Sequence, residues 1–175
     1  MLHMAILGAG RIAATMAETI NRMNQAGNHA VSLYAVAARD LERAQQFADT
    51  HGVERAYGSY EEMLQDQQVQ LVYVATPHSH HYQHVMMCLE HGKHVLCEKA
   101  FAANAQQTRE MLQRAKDKGL LLTEAIWTRY QPMREIISQV VNSGVLGEPR
   151  MLTANLGSEI MGKERIVEPA LAGGA

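Results

Sequence analysis

Two cysteines in 175 residues, Cys88 and Cys97, are too few for a disulfide framework. They have no metal-ligand spacing either, which excludes a thiolate-rich metal fold and leaves two buried thiols of a reducing compartment. Charge of one sign is also lacking. The net charge is only −2, so there is no electrostatic footprint for nucleic acid. No apolar run approaches the roughly 20 residues that cross a bilayer, and MLHMAILGAG lacks the charged region and cleavage site of a signal peptide. The expectation is a cytoplasmic protein with no nucleic-acid or membrane partner. With 47% hydrophobic and 19% charged residues, the composition is that of a globular chain. Its length allows one sizeable core, or one domain and the beginning of a second.

What is present is an alternation of two periods. Short apolar runs, MAIL (Met4 to Leu7), SLYAVAA (Ser32 to Ala38), LVYVA (Leu71 to Ala75), HVLC (His94 to Cys97) and LLLTEA (Leu120 to Ala125), read as strands. Between them, apolar residues recurring at three and four predict helices over 11–23, 41–51, 59–65, 81–91 and 104–118, with another over 133–142. Ser59 with Glu62 resembles a capping box, and Gly92 and Gly119 stand where helices end. Strand and helix in alternation imply a parallel sheet, because each parallel pair needs a crossover. Strands buried on both faces should be almost continuously apolar, as LVYVA and SLYAVAA are. The fold class expected is a doubly wound α/β domain of Rossmann type over 1–125, then a connecting helix and loop over 126–149. Residues 150–175 read as the truncated start of a second α/β domain, whose first strand is RMLTANLG.

Gly8-Ala9-Gly10-Arg11-Ile12-Ala13 matches G-x-G-x-x-A directly after the first strand. There the first glycine permits a tight turn, the second lets a pyrophosphate reach the backbone, and the small last residue packs helix on strand. Free N–H groups at the helix start would hold the phosphates. The second strand ends in Arg39-Asp40. Arginine can pair with a 2′-phosphate and an acid can accept from a ribose hydroxyl, whereas Asp40 can equally cap the next helix. Arg39 comes first, which favours NADP, with NAD as the alternative.

In an open parallel sheet the ligand lies outside the carboxyl ends of the strands. At those ends stand GAGRIA, AARD, ATPHSHH, CEKAF and EAIWTRY. Thr76, Pro77, His78 and His81 are therefore candidate cofactor contacts. Glu98 and Lys99, otherwise an ordinary solvated pair, become candidate site residues on the same edge. A lysine there can act as an acid or base if its pKa is lowered, or simply donate to a substrate oxygen. Trp127 beside Arg129 could wall a pocket or pack as a core tryptophan. His80 and His84 share one helical face, but a zinc site needs three or four ligands and no third is evident, so no metal is expected.

GAGRIA, ATPHSHH with His81, CEKA and EAIWTRYQP, followed by GVLGEPR, together resemble the glucose-fructose oxidoreductase, inositol dehydrogenase and MocA family. AARDLERAQQFA and EAIWTRYQP are most similar to its dihydrodiol dehydrogenase branch, which includes NADP-dependent xylose dehydrogenases. The resemblance implies an NAD(P)-binding Rossmann domain, a C-terminal α/β domain that supports the substrate site and often a dimer, and hydride transfer at a hydroxyl-bearing carbon of a sugar, polyol or dihydrodiol. The family's Glu-Lys-Pro motif falls on Glu98, Lys99 and Ala100, making Lys99 the catalytic lysine and removing the proline. Trp127 and Arg129 match the branch's pocket segment. PALAGGA resembles the segment before the helix that carries the family's catalytic tyrosine or histidine, so the resemblance implies impaired turnover for these 175 residues. The alternative is a dinucleotide-binding module without catalysis.

Overall fold

The computed structural model describes residues 1–157 together with 167 and 168. Six strands, β1 (Leu2–Leu7), β2 (Val31–Ala37), β3 (Arg55–Tyr57), β4 (Leu71–Val74), β5 (His94–Glu98) and β6 (Leu122–Ala125), form one sheet of order β3-β2-β1-β4-β5-β6. Every pairing is parallel. The α-helices set out among the described residues are α1 (Arg11–Gln25), α2 (Leu41–His51), α3 (Tyr60–Gln65), α4 (His81–Glu90), α5 (Ala105–Asp117) and α6 (Pro132–Asn142). The chain leaves β1 in one direction and resumes beside it at β4 in the other, so the order reverses between these two strands. A crevice at their carboxyl ends follows from that reversal.

Alternation along the buried strands divides the core in two. Ala5, Leu7, Val72, Val74, Val95 and Cys97 face α3, α4 and α5, whose contribution includes Met63, Leu89 and Met111. Met4, Ile6, Tyr73 and Leu96 face the opposite side, packed with Ala13, Ala17 and Ile20 of α1 and Phe47 of α2. Helices thus cover both faces, which is the doubly wound arrangement.

Local signals set the helix starts. The Ser59 hydroxyl accepts from the Glu62 amide at 3.2 Å, Asn104 Oδ1 from the Gln107 amide at 3.0 Å, and Asp40 Oδ1 from the Arg43 amide at 2.8 Å. Asp40 is therefore a helix cap. Two elements differ from expectation. β3 is three residues long and carries no apolar run, so it had no readable period; it is held by Ala35, Val36 and Ala37 of β2. Residues 150–157 form no strand. A strand-like composition is not sufficient there, because its N–H and C=O groups need a neighbouring strand to form a ladder, and none of the described residues supplies one. The PALAGGA segment lies outside the described residues.

Asp66, at the end of α3, ties together elements on one side of the sheet. Its Oδ2 accepts from Tyr57 at 2.6 Å and Tyr34 at 2.9 Å, and its Oδ1 accepts from the Gln68 amide at 2.8 Å. Buried Lys93 donates to the carbonyls of Asp66 and Val69. Burial acts to raise the Asp66 carboxyl, but the Tyr57, Gln68 and Tyr34 bonds outweigh it and hold the group below its ordinary 3.8. A depressed folded-state value stabilises the fold above pH about 4 and is lost as pH falls below it. Thermal unfolding of the Asp66→Asn variant should therefore show a shallower loss of Tm than wild type between about pH 5 and pH 3. Parallel profiles would contradict this.

α6 differs from the other helices. Met133, Ile136, Ile137, Val140 and Val141 recur at helical spacing yet are all exposed. Trp127 and Tyr130, in the short 3-10 turn before it, are exposed as well.

Candidate nucleotide and active site

The loop between β1 and α1 is shaped by Gly8 and Gly10. Gly8 has φ of +103°, and a Cβ there would lie 3.0 Å from Thr76 Cγ2 and 3.2 Å from the Ala75 carbonyl oxygen. The β1 loop and the β4 loop thus touch, and only glycine permits it. Gly10 begins α1 with no side-chain cap, and nothing lies within 4 Å of where its Cβ would be. Open space over uncapped N–H groups is the environment a phosphate requires. Ala13, the third small residue of the motif, is fully buried against the sheet.

Two cavities flank the segment Ala75-Thr76-Pro77, which lines both. The first, about 290 Å³, is formed by Arg11 and Ile12 on one side, His78 near the turn after β4, and Glu98 and Lys99 after β5. The second, about 240 Å³, lies over Gly8 and Ala9 and is walled by Arg39, Arg43, Tyr60, His80 and His84. The candidate residues Gly8, Arg39, Thr76, Pro77, His78, Glu98, Lys99, Arg11 and Ile12 thus converge on one crevice. Trp127 and Arg129 line neither cavity. They stand on the turn after β6, with Trp127 61% exposed.

His81 does not face the crevice. It is fully buried, with Nδ1 2.7 Å from the Ala100 carbonyl oxygen and Nε2 2.8 Å from that of Thr76. It bridges the loops that form opposite walls of the first cavity, so it acts on the site through their backbone. The Lys99–Ala100 peptide is cis. Glu98 and Lys99 form no ion pair; Glu98 Oε1 accepts from the Tyr73 hydroxyl at 2.5 Å and Oε2 from the Lys99 amide at 3.2 Å.

In the second cavity, burial first and then His80 and His81 push His84 down to about 4, so its ring is neutral at neutral pH. Its Nδ1 lies 2.9 Å from the Thr76 hydroxyl, and Tyr60 and His80 pack on its ring at centroid distances of 5.0 and 5.7 Å. The histidine-rich run is therefore spent on walls and loop contacts. Among the described residues no group of three or more His, Cys, Asp or Glu side chains is placed to hold a metal. The positive charge in this cavity is Arg39 and Arg43. Arg43, on the first turn of α2, reaches back to donate to the Ala9 carbonyl at 3.2 Å. Sequence reasoning missed Arg43 and Tyr60, and weighed His80 and His84 as a metal pair rather than as walls of this cavity. Arg43 carried a signal, one helical turn after Arg39, whereas Tyr60 comes near only through the fold.

Residues 2–126 match the model of the GFO/IDH/MocA group, described as an oxidoreductase family with an NAD-binding Rossmann fold. The chain belongs to this family. It is 43% identical over 174 residues to trans-1,2-dihydrobenzene-1,2-diol dehydrogenase of Sus scrofa, and 41% identical to that of Homo sapiens. In each case 99% of this chain is matched but only 51% of the relative, so the chain spans about half the length of these relatives. Among solved structures, an NAD binding oxidoreductase from Klebsiella pneumoniae aligns with a TM-score of 0.79 at 32% identity, covering 85% of this chain and 40% of that one. A 3-ketoreductase from Actinomadura kijaniata in complex with NADP aligns with a TM-score of 0.74 at 26% identity, covering 84% and 45%. No helix among the described residues is long and apolar enough to cross a membrane.

Proposed function

We propose that the chain is the nucleotide-binding part of an NADP-dependent oxidoreductase acting on a hydroxyl-bearing carbon of a sugar, polyol or dihydrodiol. The observation that carries the preference for NADP is the chemistry of the second cavity. Arg39 and Arg43 both line it, while Asp40, the acid that could have accepted from a ribose hydroxyl, is used as the cap of α2. Two guanidinium groups suit a dianionic 2′-phosphate, and an unpaired ribose diol would leave them uncompensated. The α1 N-terminus and the open space at Gly10 suit the pyrophosphate, and the first cavity suits the nicotinamide half. When bound, the nicotinamide supplies the hydride acceptor or donor.

Lys99, at the mouth of the first cavity, is in this reading the group that donates to the substrate oxygen as the C–H bond is made or broken. The extended family relationship supports a division into a Rossmann domain over 1–125, a connection over 126–149 and the start of a substrate domain from 150, with the exposed apolar stripe of α6 as a packing face. A homo-oligomer and a cytoplasmic setting belong to the same proposal, the latter resting on the two free thiols.

A second reading, a dinucleotide-binding module without turnover, is favoured by one observation. Lys99, Ala100, Trp127 and Arg129 are all exposed, so the described residues do not seal the nicotinamide end from water. The chain should therefore oxidise trans-1,2-dihydrobenzene-1,2-diol or a sugar poorly or not at all, even with NADP⁺ saturating. Spectrophotometric detection of NADPH formation at an ordinary enzymatic rate, about 1 s⁻¹ or more, would contradict that expectation and favour the oxidoreductase reading over the module without turnover.

A further inference from the structure

Tyr73 is the residue of β4 that core packing does not fully explain. Its ring is 1% exposed and packs with Met4, Ile6 and Ala13, a role phenylalanine would fill equally well. The hydroxyl is the surplus. β4 and β5 pair with Tyr73 beside Leu96, and alternation puts Glu98, two residues on, on the same face of the sheet. The phenol therefore reaches along that face to the carboxylate at the cavity mouth.

Burial, followed by the bond to Glu98 and its charge, raises the Tyr73 phenol, so it remains a donor. One carboxylate oxygen is held by this buried phenol and the other by the Lys99 amide. A carboxylate has about four acceptor positions, and these two bonds leave the remainder available on the side lined by Arg11, Thr76 and Lys99. We propose that Tyr73 is a positioning residue, which fixes Glu98 so that its free lone pairs accept from hydroxyl groups on the nicotinamide side of a bound dinucleotide. This rests on the dinucleotide reading above. It adds a buried residue that contacts no ligand yet governs one half of the nucleotide only.

The test uses two ligands, NADPH and 2′,5′-ADP, which lacks the nicotinamide half, titrated calorimetrically into wild type and variants. Tyr73→Phe is expected to raise the NADPH Kd about 5- to 10-fold, with 2′,5′-ADP unchanged. In a Glu98→Gln background the same substitution should add less than about 2-fold, because the carboxylate it positions is gone. Glu98→Gln alone, whose side chain reaches the cavity rather than the core, gives a second reading of the loss if Tyr73→Phe folds poorly. Equal weakening of both ligands, no weakening of NADPH, or an undiminished Tyr73→Phe effect in the Glu98→Gln background would each overturn the proposal. Wild type that binds neither ligand would instead remove the dinucleotide reading and this inference with it.

Discussion

Replacing Gly8 by valine should abolish NADPH binding and lower thermal stability at the same time. At φ of +103° a β-branched residue is strained before any contact is counted, by about 1–3 kcal/mol. Its Cβ would also meet the Ala75 carbonyl at 3.2 Å, a backbone group that cannot turn aside as a side chain can. Relief requires the β1 and β4 loops to part, and both cavities use Ala75-Thr76-Pro77 as a shared wall. Loss of NADPH affinity of about 100-fold or more, equivalent to about 2.7 kcal/mol, is expected by fluorescence titration. Gly10→Ala is the control: its Cβ meets nothing within 4 Å, so the fold should survive while phosphate approach is hindered. A Gly8→Val protein that binds NADPH normally would mean that the two loops do not set the nucleotide site.

The second large effect concerns choice of nucleotide. Removing both guanidinium groups, in an Arg39→Ala/Arg43→Ala variant, should raise the Kd for NADPH about 100-fold while leaving that for NADH within about 3-fold, since hydrogen bonds to charged groups contribute about 1.5–3 kcal/mol each. Either single variant should fall between. Because both arginines are exposed, added salt should weaken NADPH binding in wild type and do so less in the double variant. Arg43 also donates to the Ala9 carbonyl, so an equal loss for NADH would point to a displaced phosphate loop rather than a lost phosphate contact.

The parts of this molecule that were legible in its sequence share a physical cause. LVYVA and SLYAVAA are apolar throughout because helices cover both faces of the sheet, and Gly8 and Gly10 are glycine because the chain must turn tightly and leave space. These are constraints within a few residues, and a local pattern records them. β3 escaped because three residues supported by β2 need no period of their own. Residues 150–157 show the converse, a β-like composition with no described strand to pair with. At the site, Glu98 and Lys99 could be placed at the carboxyl edge of the sheet from the strand ends alone. That Tyr73 holds Glu98, that His81 joins two loops from beneath rather than facing the cavity, and that Tyr60 walls the second chamber all depend on contacts between distant segments. Asp40 was open to two readings because an acid before a helix can cap it or reach a ribose. The 2.8 Å bond from the Arg43 amide shows it as the cap.

In the proposed function the paired cavities hold a dinucleotide with its phosphorylated ribose at Arg39 and Arg43. Its most direct test is a fluorescence titration of the 175-residue chain with NADPH and NADH in parallel at one low ionic strength. A saturable change with NADPH, at a Kd at least about 10-fold below that for NADH, equivalent to about 1.4 kcal/mol, is the predicted result. Absence of a saturable signal with either nucleotide, or binding of NADH as tight as that of NADPH, would contradict it.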